Sequence, residues 1–294
     1  MVQKNATGYR KAFVLPMSLA ISFIIFLFSL FLLEISGVLI DLREAMKKKV
    51  DLTVNLYSFI NYLNYNLLTG TYDCKSVYFD SYRLFLDGRE EKIYWPYLKN
   101  VEITLKVRDG NSYLLSRGLT EPTLNALVGE DGKTFIQSVL DWFDKDNVPR
   151  PYGAECDFYR SNNYSFCPRN SRAIQHKLEL EDVNGSRVYK NIVKYISDYS
   201  ENRINLNTAD LKLIYSLSGI DISFIRNTSG CITWEQISNI PLKNREIFTI
   251  APGRYLHIFA CIRYKDKPYI KVCSSYVLDR SMKGGSAIRE FTIY

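Results

Sequence analysis

The sequence predicts an α+β protein in which one long N-terminal helix is followed by strands, a helical insert and returning strands. Three observations carry that reading. Phe13 to Leu33 is a run of 21 residues without a charge, long enough to cross a bilayer as a helix. From Leu42 to Leu67, apolar residues recur three and four apart, the period of a helix face. Further on, apolar and polar residues alternate around 101–107 and 255–275, as in strands, and enclose a stretch with helix-start signals.

The apolar run is preceded by Lys4, Arg10 and Lys11, which favours a cytoplasmic N-terminus, although Arg43 and Lys47 to Lys49 follow it. No small-x-small site closes the run, so it reads as an anchor rather than a secretory signal peptide. Leu42, Met46, Val50, Val54, Tyr57, Ile60, Leu63 and Leu67 then make one apolar stripe, and Thr69-Gly70 is the stop. A helix from Phe13 to about Leu68 is roughly 80 Å long at 1.5 Å per residue. Its first half suits lipid, and its second half suits the back of a folded domain.

Short strands are expected at Val77 to Phe79, Val101 to Val107 and Tyr113 to Leu115, with Asp109-Gly110 as the turn between the last two. Thr134 to Phe143 has helical spacing, and 144–168 is rich in turn-forming residues and reads as loop. Within 171–240, Asn207 or Thr208 caps a helix from Ala209 to Leu217, and Thr233 with Gln236 forms a capping box. After Pro241 the chain returns to strands. The spacing around Lys265 to Pro268 predicts a hairpin that places Cys261 opposite Cys273, and a cross-strand disulfide explains two thiols on a polar face. Cys156 and Cys167 bracket a short polar loop as a second candidate pair, and Cys74 with Cys231 follows only by elimination.

Composition argues for ordered structure outside the membrane. Hydrophobic residues make up 47% and aromatics 14%, and a net charge of +7 spread over the chain lacks the dense basic runs of nucleic-acid binders. Catalysis has little to work with. The two histidines, His176 and His257, fall in no metalloprotease motif, and no nucleophile elbow or phosphate loop is present. His257, on the polar face of a strand, reads as solvated.

Two features remain. Asp141, Asp144 and Asp146, followed by Glu155, crowd carboxylates into one loop. Such a loop either holds a hard cation through oxygen donors or stays solvated and acidic, and the spacing is not that of an EF-hand. Ile204 to Asp210, then Leu217 to Asp221, resembles the opening of a helix-hairpin-helix module, in which glycine amides meet a nucleic-acid phosphate. Asp221 stands where a second glycine is needed and repels phosphate, so a structural helical hairpin is expected and nucleic acid is not.

The stretch Leu140-Asp141-Trp142-Phe143-Asp144-Lys145-Asp146, then Pro149-Arg150, Gly153-Ala154-Glu155 and Phe158-Tyr159, resembles the signature loop of the general secretion pathway protein K family, minor pseudopilins of type II secretion. Pro168-Arg169-Asn170 with Leu178-Glu179-Leu180, and Ile204 to Ala209, resemble the next two landmarks of that family in the same order. The resemblance implies a type IV pilin-like fold: a long N-terminal helix on an antiparallel sheet, with an all-α domain inserted. On that plan 1–12 is a prepilin leader, 13–68 the helix with 13–34 in the membrane, 69–147 the first part of the pilin-like domain, 148–245 the insert and 246–294 the returning strands.

The resemblance further implies cleavage by a prepilin peptidase between Ala12 and Phe13, followed by methylation. It implies a single pass through a bacterial inner membrane, with the C-terminal domain periplasmic. Met17 occupies the fifth mature position, where typical pilins carry Glu, and its absence suits a subunit at the filament tip, above other minor pseudopilins and the major pseudopilin. Calcium near the signature loop is implied too, with Asp144, Asp146, Glu155 and Asp141 as ligands and a Cys156–Cys167 disulfide bracing the loop. A DNA-uptake protein and a minor pilin of a type IV pilus are the alternatives.

Overall fold

In the computed structural model, which describes residues 8–98, 100–168, 174–228, 230–238, 240–282 and 288–293, one helix, α1, runs from Gly8 to Thr69. The first leader residues and the Arg169-Asn170 landmark lie outside the described residues. Helix α1 is long and apolar enough to cross a membrane in its N-terminal part. Its C-terminal part packs on a sheet, and the packing splits the expected stripe. Leu52, Leu56, Phe59, Ile60, Leu63 and Leu67 are buried, whereas Leu42, Met46, Val50, Val54 and Tyr57 face outward. At 3.6 residues per turn, the four-residue steps from Leu42 to Val54 carry the row around the helix, away from the side of Leu52 and Leu56, and the three-residue steps through Tyr57, Ile60 and Leu63 bring it back to the sheet.

After α1 comes a small antiparallel sheet of β1 (Thr71–Tyr72), β2 (Ser76–Phe79) and β3 (Tyr82–Phe85). Strands β4 (Glu91–Ile93) and β5 (Val101–Asp109) then enter the main sheet. The chain next forms β6 (Leu114–Leu115), α2 (Glu121–Val128), α3 (Lys133–Phe143), α4 (Cys156–Ser161), α5 (Tyr189–Ile192), β7 (Ile196–Ser197) and β8 (Ile204–Asn205). Helices α6 (Leu211–Ser218), α7 (Ser223–Thr228) and α8 (Trp234–Ser238) and strand β9 (Phe248–Thr249) follow. Strands β10 (Tyr255–Tyr264), β11 (Lys271–Asp279) and β12 (Ile288–Ile293) complete a five-stranded antiparallel sheet of order β12-β11-β10-β5-β4.

Two cores result. The first lies between α1 and the inner face of the sheet, where Ile103, Leu105 and Val107 of β5 meet Leu256, Ile258, Ala260 and Ile262 of β10. Alternation dictates this, because every second residue of a strand faces the same side. Burying one Leu or Ile side chain there contributes roughly 1.5–3 kcal/mol. The second core runs from Leu114 to Phe248 and includes α2 and α3. The chain therefore changes core between Val107 and Leu114, and the boundary expected at residue 148 falls inside the second core.

Asp109-Gly110 is not a hairpin turn. Strand β6 pairs in parallel with β7 rather than folding back on β5. The helix expected to start at Ala209 starts at Leu211, and its cap is Asp210 rather than Asn207 or Thr208, with the Asp210 carboxylate accepting the Lys212 N–H at 2.8 Å. The Thr233–Gln236 capping box forms as read, with the Thr233 N–H donating to Gln236 Oε1 at 2.9 Å.

Candidate functional site

Helix α3 ends where the acidic loop begins. Its buried face, Phe135, Ile136, Val139 and Trp142, follows the helical period, and the same turn carries Asp141 inside, where it is 0% exposed. The chain leaves the helix at Asp144 and comes back through Arg150 and Gly153 to Glu155, the residue before α4. This return brings carboxylate oxygens of Asp141, Asp144 and Glu155 within 4.8 Å of one another. Gly153 permits it, since a Cβ there would collide with the Asp141 carboxylate. Trp142 meets Tyr159 of α4 edge-on at 5.5 Å, and Cys156, the first residue of α4 and next to Glu155, is bonded to Cys167.

Three carboxylates this close repel one another in a half-buried site. Arg150 offsets part of that repulsion. Its Nη1 donates to Asp141 Oδ1 at 2.6 Å and also to Asp144, while its backbone N–H donates to Asp141 Oδ2 at 3.2 Å. Those bonds raise the Arg150 pKa above its ordinary value. Asp144 Oδ1 is nevertheless buried without a hydrogen-bond partner. An all-carboxylate donor set with an orphaned oxygen fits a hard divalent cation. Asp146, expected among the ligands, is not in this group. The loop carries it into solvent, where its Oδ1 accepts the Val148 N–H at 2.9 Å. Arg150 was the contributor that residue spacing alone did not single out, because an arginine beside acids reads as a surface ion pair until the burial of Asp141 is known.

All three disulfides form. Cys261 and Cys273 are direct cross-strand partners on β10 and β11, with Cα atoms 4.1 Å apart. Cys74–Cys231 ties the small sheet to the insert across 157 residues of sequence, a pairing the sequence reached only by elimination.

The residues from Ile204 to Ala209 serve a polar seam between the two cores. Asp109, completely buried at the end of β5, accepts from Asn205 Nδ2 (2.8 Å), the Gly253 N–H (2.8 Å), the Asn111 N–H (3.1 Å) and Thr208 Oγ1 (3.1 Å). Burial pushes its carboxyl pKa up. Asn207 serves the insert itself, its Oδ1 accepting the Ile232 N–H at 2.7 Å. The motif that resembles a nucleic-acid module thus turns its polar side chains inward. His257, expected to be solvated, is also part of the seam. The insert covers it, and its Nε2 lies 3.1 Å from both Ser197 Oγ and the Tyr199 carbonyl. Burial lowers its pKa to about 4. Alternation places His257 on the outer face of the sheet, and only the long-range fold shows that this face is covered there.

The Ala12–Phe13 bond lies within the helical backbone of α1, before Pro16. Asp221 is exposed and accepts the Ser223 N–H at 2.8 Å, just ahead of α7.

No protein-family model and no curated protein matches the chain. Among solved structures it is similar to a chain of the GspK–GspI–GspJ complex of the type 2 secretion system of enterotoxigenic Escherichia coli. The identity is 14% and the TM-score 0.55, over 85% of this chain and 95% of that one. The likeness extends to most of both chains, and it shows that this protein has the α+β, pilin-like fold of a type II secretion pseudopilin.

Proposed function

We propose that the chain is a minor pseudopilin at the tip of a type II secretion pseudopilus, where it starts assembly with other minor pseudopilins above the major one. The observation that carries this reading is the bare apolar row on α1. Met46, Val50 and Val54 are each about 60% exposed, on a helix whose opposite side, Leu52 and Leu56, is fully covered. A row of this length next to a membrane segment is what a neighbouring subunit's helix covers. The role is assembly rather than catalysis. The chain is a single-pass inner-membrane protein with its folded part in the periplasm, and a prepilin peptidase removes residues 1–12. Pro16 supports cleavage at Ala12–Phe13. It has no N–H to give the Ala12 carbonyl, so the helix lacks that hydrogen bond at the scissile peptide.

Calcium belongs to this reading, held by Asp141, Asp144 and Glu155. Asp141 and Asp144 at the end of α3 and Glu155 just before α4 would hold it, and when bound it would supply the positive charge that three close carboxylates lack. The deciding experiment is the N-terminal mass of the protein purified from its native membrane, together with photo-crosslinking from position 50. A chain starting at an N-methylated Phe13, crosslinked to a pilin-like subunit, is expected. An intact N-terminus in the presence of prepilin peptidase would mean a fixed anchor and would end the tip reading.

A further inference from the structure

We propose that a basic groove crossing the seam, from the outer face of the main sheet to α6, binds an extended acidic segment of a partner protein. Two clefts make the groove. One, of about 610 Å³, is lined by Asp87, Arg89, Arg108, Lys212 and Arg226 among others. The second, of about 320 Å³, shares Gly88 and Arg108 with the first and continues past Tyr113, His257 and Phe259. At the other end the surface runs on from Leu211 and Lys212 to Tyr215. Positive charge is therefore flanked by apolar and aromatic side chains at both ends.

Two acids stand among these cations, and both are engaged by other groups. Asp87 is taken by Arg89, whose Nε lies 3.0 Å from both its oxygens. Asp210 is taken by the cap of α6. Among the described residues, Arg108, Lys212 and Arg226 form no ion pair. Arg108 lies over the Tyr113 ring at 5.1 Å, and its Nε is buried without a hydrogen-bond partner. Arg226 gives one N–H to the Ala209 carbonyl at 2.6 Å, and burial lowers its pKa, opposed by Asp87 and Asp210 and reinforced by Arg108 and Arg89. Guanidinium groups gathered in a half-buried cleft repel one another and present forks that match carboxylates. A polyanion such as nucleic acid fits less well, because Asp87 and Asp210 stand at the cleft and repel a continuous row of phosphates. Spaced carboxylates with apolar side chains between them match both the charge and the ends. The inference is independent of the secretion role.

The test uses the full chain in detergent micelles and a fluorescein-labelled peptide of Asp-Leu-Glu-Phe repeats. Its Asn-Leu-Gln-Phe counterpart and an oligodeoxythymidine serve as competitors. Saturable binding of the acidic peptide is expected, weakened about tenfold by Lys212→Glu and by Arg226→Gln, with no competition from the neutral peptide. Lys212 is exposed, so its replacement leaves the fold intact and decides the matter even if Arg226→Gln unfolds. Absence of saturable binding, equal binding by Lys212→Glu and the wild type, or tighter binding of the oligonucleotide would each overturn the proposal.

Discussion

Two places in this molecule bury carboxylates, and they do so on opposite terms. At the seam, Asp109 is surrounded by four neutral donors drawn from both cores. In the loop after α3, Asp141, Asp144 and Glu155 face one another with Arg150 between two of them. The first arrangement is complete in itself, and its cost of burial is met by hydrogen bonds that fold with it. The second brings like charges together and leaves Asp144 Oδ1 buried without a partner. The contrast separates a carboxylate whose partners fold with it from a cluster that the fold leaves short of partners.

The sharpest way to break that contrast is Asp109→Ala. It strands donors from β8, from the residues after β5 and from Gly253, so a loss of about 3–4 kcal/mol is expected. Thermal unfolding of the chain should show the same loss in calcium and in chelator. A calcium-dependent loss would mean that the seam and the loop are one system.

Acid should weaken the seam next. The His257 pKa lies near 4 in the folded protein, below its ordinary 6.5, because burial disfavours the imidazolium; Lys177 and Arg108 add to this and Asp198 opposes it. The unfolded chain therefore takes up the proton first. Stability that is complete above pH 6.5 is lost as pH falls toward 4, by about 3 kcal/mol. His257→Gln should flatten that limb of the stability profile, and an unchanged profile would show that the ring is not covered.

The loop should respond to calcium itself. At a concentration a hundredfold above its dissociation constant the ion adds about 2.7 kcal/mol, read as a rise in melting temperature. Asp144→Asn should abolish the rise and cost little in chelator, where it relieves repulsion. Melts identical with and without calcium would sink the metal site. Smallest is Arg150→Gln. It leaves Asp141, whose side chain is 0% exposed, without its charged partner, and because Arg150 itself is 37% exposed the loss in chelator is expected at about 2 kcal/mol, below the full cost of breaking a buried pair. Calcium should bind more tightly to that variant, since the competing cation is gone. Weaker binding would make Arg150 part of the site rather than a stand-in for the ion.

Much of this was open to a reader of the residues alone. The apolar run from Phe13, the alternation that sets Cys261 against Cys273, and the Thr233–Gln236 box are local signals. Each depends on one helix or one hairpin, and each holds in the fold. The crowded acids of 141–155 were visible as well. Which of them meet was not, because Asp146 differs from Asp144 only in the direction in which the loop turns.

The sequence by itself determined the long helix, the inner faces of the strands, the hairpin disulfide and the presence of an acidic loop, since periodicity and short-range pairing act over a few residues. Tertiary structure alone decided that the apolar row of α1 splits into a covered and a bare side. It also decided that Cys74 meets Cys231, that α2 and α3 join the second core, and that His257 and Asp109 are covered. The physical reason is common to all of these. Burial of one face, and the partner of a buried charge, are set by segments a hundred or more residues away, and no local pattern encodes which distant surface arrives.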